Sequence, residues 1–352
     1  MNKALISACL GVVAASSSSN AIAVPALAPG YALAAPWSVG GTGGWDYLTT
    51  DEAGQRLFVT RSDHVAVFDL ADGKPLGQIG PTNGVHGVAL APKIGKGYAS
   101  NGRGDSVTVF DLKTLATTAT IAIEGHNPDA IVFDEPSSRV FTFNGHSHDA
   151  TVIDTVTQKA VATIPLSGKP EYAVSDGKGH IFVNIEDRAE LSEIDTKAAK
   201  VLATWKLADC EEPSGLALDG EHARLFSVCQ NGHLVVTDAA SGRHVATVAI
   251  GSGPDGVVFD AQRHLIFSSN GEDGTLTIIH QQSGDRYQVL QNLPTRKSAR
   301  TLALDPKTHR VFLAAADFEA APEKSAPKAR PKMKEGSFKV LVVVPVVGSA
   351  SR

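Results

Sequence analysis

Short runs of alternating apolar and polar residues recur along this chain, and Gly, Asn, Asp or Ser ends nearly every one. VAVFD, VTVFD, ATVID, LSEID and LVVTD finish at Asp69, Asp111, Asp154, Asp195 and Asp238, and LTIIH puts His280 at the same place in a further copy. Alternation with period two, bounded by turn residues, predicts half-buried strands. No stretch of a dozen residues keeps a helical spacing without a Gly, Pro or turn cluster interrupting it. Each unit reads as a first strand ending near Asp or Pro, a second strand carrying an aromatic, a third ending in Asp, and a fourth after a polar turn. The first-strand landmarks are Asp51, Pro92, Asp134, Asp176, Asp219, Asp260 and Asp305, spaced 41, 42, 42, 43, 41 and 45 residues apart.

Four strands per unit in seven tandem units predict an all-β, seven-bladed β-propeller of four-stranded antiparallel blades. The seventh unit supplies strands at 300–304, 310–315 and 338–344 and lacks a fourth. The segment 31–39 is an orphan outer strand, so an N-terminal strand completing the last blade closes the ring and removes two open sheet edges. An open solenoid is the competing arrangement, but it needs polar capping repeats, and neither end carries one. The propeller is expected over 32–347, after a linker at 24–31 and before a tail at 348–352.

The units Pro128–Leu166 and Pro213–Ile250 resemble the YVTN-type repeat: Pro-x-x-φ-A-φ-D, an aromatic strand, then V-x-V-I-D-T and K-V-V-A-T-I. Across about 32–345 the chain is similar to the YncE-like exported β-propellers. It departs from WD-type propellers, since no unit ends in Trp-Asp. The resemblance implies the fold. It implies little about activity, because that group is a scaffold of mostly undefined binding roles and fold does not fix function.

Composition changes the picture in three ways. The 352 residues are 43% hydrophobic and 20% charged, which excludes a disordered chain and a polytopic membrane protein. With 32 basic against 37 acidic residues the formal charge is -5, and aromatics are only 6%, so the electrostatic footprint of a general nucleic-acid binder is missing. At the start, Lys3, the apolar stretch 4–15, a Ser run and Ala21-Ile22-Ala23 read as a secretory signal over 1–23, cut after Ala23. A lipoprotein box at Ile6–Cys9 comes too early, and an uncleaved span needs about 20 apolar residues. A periplasmic or secreted, monomeric protein is expected. Cys210 and Cys229, with 18 residues between them, are then a disulfide candidate near the top of one blade, with two buried thiols as the alternative.

Candidate chemistry gathers where first strands begin. Residues six before each landmark are Trp45, His86, Pro128, Pro170, Pro213, Pro254 and Ala299, followed by Asp46, Gly87, Asp129, Glu171, Ser214, Asp255 and Arg300. If these surround the axis, four carboxylates and one guanidinium ring the top mouth and attract a cation or a basic partner group. The competing reading is that such Asp residues accept bonds from turn amides. Trp45, Asp46, His86, Asp129, Glu171, Asp255 and Arg300 form the expected ligand-binding set. His126, His146 and His148 fall on loops of one blade, and extended backbone puts His146 and His148 on one side. With Asp129 or Asp149 they are a candidate site for a divalent ion such as zinc or copper; calcium on the acidic ring, with Asn carbonyls, is the weaker cofactor alternative. Asn101, Asn144, Asn184 and Asn270 are read as left-handed turn residues. The segment 317–336, with five Lys or Arg, three Pro and four Ala, reads as an extended basic insertion.

No phosphate loop, nucleophile elbow or haem-attachment motif occurs. The first reading is therefore a non-enzymatic exported propeller that binds a protein partner or small ligand at its top face. A metal-dependent, lactonase-like lyase or hydrolase at the three histidines is second. Nucleic-acid binding through the basic insertion is third.

Overall fold

A computed structural model describes Met1, residues 30–319 and residues 332–346. The signal segment, most of the 24–31 linker, the tail and the centre of the basic insertion lie outside the described residues. The rest forms seven antiparallel sheets in sequence order, and among the described residues two short 3-10 turns are the only helical structure. None of that helix is long and apolar enough to cross a membrane.

The innermost strands are Leu48–Asp51, Val85–Ala91, Pro128–Asp134, Pro170–Ser175, Pro213–Asp219, Pro254–Asp260 and Leu302–Asp305. Blades are numbered by these strands from one to seven. The sixth hairpin is the longest, Thr275–Ser283 with Arg286–Pro294, because His280 replaces the Asp that elsewhere turns the chain. In the other units that Asp accepts bonds from the next turn's amides, as Asp154 does from Val156 at 3.1 Å and Thr157 at 2.7 Å.

Blade seven closes as the orphan strand predicts. Gly30–Leu33 pairs with Lys339–Val346, with Tyr31 opposite Pro345, and Trp37–Ser38 pairs further along the same strand, with Trp37 opposite Val340. Tyr31 also couples this strand to blade six. Its ring meets Phe267 edge-on at 5.0 Å, and the Gln291 side-chain amide bonds both its backbone N–H and its carbonyl.

Each blade-to-blade junction holds one apolar cluster, seven in all. The second strand explains this. Phe58, Tyr98, Phe141, Phe182, Phe226, Phe267 and Phe312 occupy one register position, the third residue of each second strand, and each packs in the cluster shared with the following blade. Their neighbours point the other way by strand alternation, as Leu57 and Val59 do toward blade seven.

One register reading is corrected. In blade two, Ala91 pairs with Lys96 as Asp134 pairs with Arg139, so Ala91 is the landmark and Pro92 begins a 3-10 turn, Pro92–Ile94. The second ring position is consequently His86 and not Gly87. The Asn reading also changes: none of the four has a positive φ, and all are buried strand residues. Asn101 and Asn270 donate to paired hydroxyls of their own third strands, and Asn144 donates to the Thr151 hydroxyl and the Asp149 carboxylate. Asn184 lies one register position earlier and faces the next blade.

Closure makes a testable demand. Tyr31→Ala should lower unfolding stability by about 3 kcal/mol, the cost of emptying a buried aromatic site. Leu33→Ala, at a side chain 42% exposed, should cost under about 1 kcal/mol. Denaturant unfolding of both variants checks this.

Candidate functional site

The seven ring positions of the top mouth are Asp46, His86, Asp129, Glu171, Ser214, Asp255 and Arg300. Bonds to the backbone of adjacent inner strands hold them. Ser100 Oγ donates to the Asp129 carbonyl at 2.6 Å, Asn184 Nδ2 to the Ser214 carbonyl at 2.9 Å, Ser214 Oγ to the Pro254 carbonyl at 3.0 Å, and Thr301 Oγ1 to the Asp46 carbonyl at 2.7 Å. Ser269 does the same for the Arg300 carbonyl, and the Tyr47 N–H donates to the His86 carbonyl at 3.1 Å. The side chains are thus carried on a rim with little freedom to move.

Two polar groups and one triad occupy that rim. His86 Nδ1 lies 2.6 Å from Asp46 Oδ2 and 3.6 Å from Asp129 Oδ1. Arg300 reaches Asp255 at 2.7 Å and Asp46 at 3.6 Å. Lys169, which no sequence argument selected, lies 3.1 Å from Glu171 and bonds Glu186. Below the rim, Tyr47 of blade one and Tyr172 of blade four meet edge-on at 5.0 Å. Those blades are not neighbours, so the two rings meet across the axis.

The carboxylates crowd one another in a partly dry space. Burial, reinforced by the Asp46 charge, pushes the Asp129 carboxyl up to about 7, against the opposing pull of His86 and Lys169. Glu171 is raised well above the usual range by burial and by Asp129. Asp255 is raised by burial despite Arg300. Burial opposes the charged form of His86, but the Asp46 hydrogen bond and the two nearby carboxylates outweigh it and raise the imidazole. Asp129 Oδ1 is buried without a hydrogen-bond partner, while Glu171 Oε2 is held by Lys169 Nζ at 3.1 Å.

Six of the seven expected ligand-binding residues therefore come together. Trp45 does not: it packs in the junction of blades seven and one, 5.2 Å from Phe338 and 6.0 Å from Phe318. Val85 and Ala299, which precede His86 and Arg300, likewise pack in junction clusters. The three histidines on the neighbouring loops do not bring their ring nitrogens together as a set of ligands, although the His146 N–H donates to the His126 carbonyl at 3.1 Å. Residues 145–148 form a turn and not an extended strand, His148 has φ 55°, and all three side chains are exposed. His126 pairs with Asp105 at 2.9 Å. Among the described residues, the group of three metal-type ligands whose atoms converge is Asp46, His86 and Asp129.

Cys210 and Cys229 are joined in a disulfide, Cα atoms 5.3 Å apart, at the top of blade five. The basic insertion leaves the same face on a short ladder, with Phe318 bridged to Met333 and Asp317 paired to Arg296 at 2.9 Å; its residues 320–331 lie outside the described residues. The tyrosine pair was legible only as two Tyr directly following ring positions. Lys169 precedes a Pro-Glu pair and gives no periodic signal.

No protein-family profile matches the chain, and no curated protein matches it. Among solved structures it is similar to hydrazine synthase of Kuenenia stuttgartiensis, with a TM-score of 0.69 and 16% identity over 78% of this chain and 94% of that one. That likeness shows the propeller fold alone.

The Glu171 shift has a definite sign. A carboxyl raised on folding binds its proton more tightly in the native state, so its contribution is full below the ordinary carboxyl range and is lost as pH rises through the folded value. Glu171→Gln should therefore gain stability relative to the parent between pH 5 and pH 8, by roughly 1–3 °C in Tm at pH 8. Thermal melts of both proteins across that range check the prediction; a difference that does not change with pH contradicts it.

Proposed function

We propose that this protein is a non-enzymatic, exported β-propeller that binds a protein partner or small ligand at its top mouth through a positively charged group. The observation that carries the reading is the rim itself. Carboxylates from four separate blades converge there, and a guanidinium, that of Arg300, already sits between Asp255 and Asp46. Amine and guanidinium groups are the chemistry such a surface accommodates. Asp129 retains a buried oxygen without a partner, so a donor arriving from outside satisfies a group that the fold leaves short. The similarity to YncE-like repeats agrees with a binding scaffold and adds no residue role.

Export is part of the same proposal. The leader-like segment 1–23 supports it, as does the Cys210–Cys229 bond, since disulfides persist in oxidising compartments. The convergence of polar groups at the mouth favours binding there over the basic insertion, which puts nucleic acid last.

A tri-arginine peptide is a sufficient probe. Its binding to the full chain, followed by fluorescence anisotropy, should weaken with rising salt and fall about tenfold or more in a Glu171→Gln/Asp255→Asn double variant. Affinity indifferent to the double change, or stronger binding of an anionic peptide, contradicts the proposal.

A further inference from the structure

The Asp46, His86 and Asp129 side chains come from blades one, two and three, and their donor atoms lie within 4.8 Å of one another. We propose that this triad is a binding site for a divalent transition-metal ion of the zinc class, held by Asp46 Oδ2, His86 Nδ1 and Asp129 Oδ1. The site shares Asp46 and Asp129 with the rim of the partner-binding reading, and its test reads metal binding and not peptide binding.

Four observations support it. The donor set is one borderline nitrogen and two carboxylate oxygens, which suits zinc and its neighbours and not calcium, whose sites are built from six to eight oxygens. The spacing is close to what an ion requires: ligand atoms at 2.0–2.2 Å in tetrahedral array stand about 3.3–3.5 Å apart, against 2.6 Å and 3.6 Å here. Binding thus requires Asp46 and His86 to part by less than about 1 Å. Asp129 is only 9% exposed, and its Oδ1, aimed at His86, has no hydrogen-bond partner. A buried carboxylate oxygen left short of a donor is costly unless something binds it. Finally, Asp46 and His86 side chains remain 16% and 26% exposed, so an ion has a way in from solvent and keeps open coordination positions on that side.

Charge points the same way. Asp46, Asp129, Glu171, Glu186 and Asp255 face two permanent cations, Lys169 and Arg300. A divalent ion adds positive charge where two carboxylates already flank an imidazole, and its binding to His86 Nδ1 releases the proton that bonds Asp46.

Gly102 sets the pose of the ring. A Cβ there would lie 2.5 Å from His86 Nε2 and 2.6 Å from Cδ2, so any larger residue must displace the imidazole. Gly102 is therefore a positioning residue for the site without being a ligand.

Zinc chloride titrated calorimetrically into chelator-stripped full chain tests the assignment. One equivalent should bind with Kd below about 10 µM, within the range of protein zinc sites. His86→Gln and Asp129→Asn should each weaken binding at least tenfold, and Gly102→Ala about tenfold with every ligand still present. Replacing His126, His146 and His148 together should leave affinity within twofold. Thermal unfolding establishes which variants fold; if His86→Gln does not, Asp129→Asn and Gly102→Ala carry the comparison. No binding by the parent at 100 µM zinc overturns the proposal. So does binding that survives the triad variants, or that is lost with the three loop histidines.

Discussion

The structure depends on one repeated contact: an aromatic at the third position of every second strand, inserted into the junction with the following blade. Phe58, Tyr98, Phe141, Phe182, Phe226, Phe267 and Phe312 are all nearly inaccessible to solvent. An isolated four-stranded sheet of this kind has two apolar faces and nothing to cover them. Only a neighbour on each side buries both, so a unit is stable only inside a ring or an array. Each aromatic is among the largest side chains of its cluster, and in blades two, five and seven a small inner-strand residue, Ala89, Ala217 or Ala303, pairs beside it in the same sheet.

A ring, unlike an array, needs its ends joined, and the joint is not made by aromatics alone. The strand Gly30–Leu33 completes blade seven, while Tyr31 and Gln291 tie that strand to blade six. Once the ring is closed, the starts of seven inner strands are fixed around one axis. The hydroxyl and amide bonds from Ser100, Asn184, Ser214, Ser269 and Thr301 then hold the backbone of the rim. Rigidity matters for the site, because it keeps Asp46, Asp129, Glu171 and Asp255 close despite their mutual repulsion. Arg300, Lys169 and His86 offset part of that repulsion, and raised carboxyl values absorb the remainder. The mouth is therefore a place where the fold's stability supports an arrangement of charge that the side chains alone would not adopt.

Much of this was readable in the residues. Landmark spacing near 42 set blade number and boundaries, and the missing fourth strand of the last unit marked the closure. The rim carboxylates followed from counting back from those landmarks. The count slipped by one in blade two, because Pro92 imitates a landmark while belonging to a 3-10 turn; pairing of Ala91 with Lys96 was needed to place His86 on the rim. Side-chain direction was the harder part. Trp45 precedes a rim residue yet faces a junction, and His146 and His148 lose their common side because the loop turns between them. Asn184 looked equivalent to Asn144 but sits one register position away, on the opposite face of its strand. Period-two patterns fix which residues share a face only while the strand lasts. Tyr47 and Tyr172, which meet across the axis, could be paired only with the ring in three dimensions.

The central claim is that the axial rim, and not the opposite face or the basic insertion, is where this protein meets its ligand. The most direct measurement is a crystal structure of protein purified from its own compartment without chelators, with anomalous diffraction collected at transition-metal edges. The account predicts non-protein density above the tyrosine pair, against the carboxylate rim. An ordered ligand bound elsewhere, with only water at the rim, would contradict it.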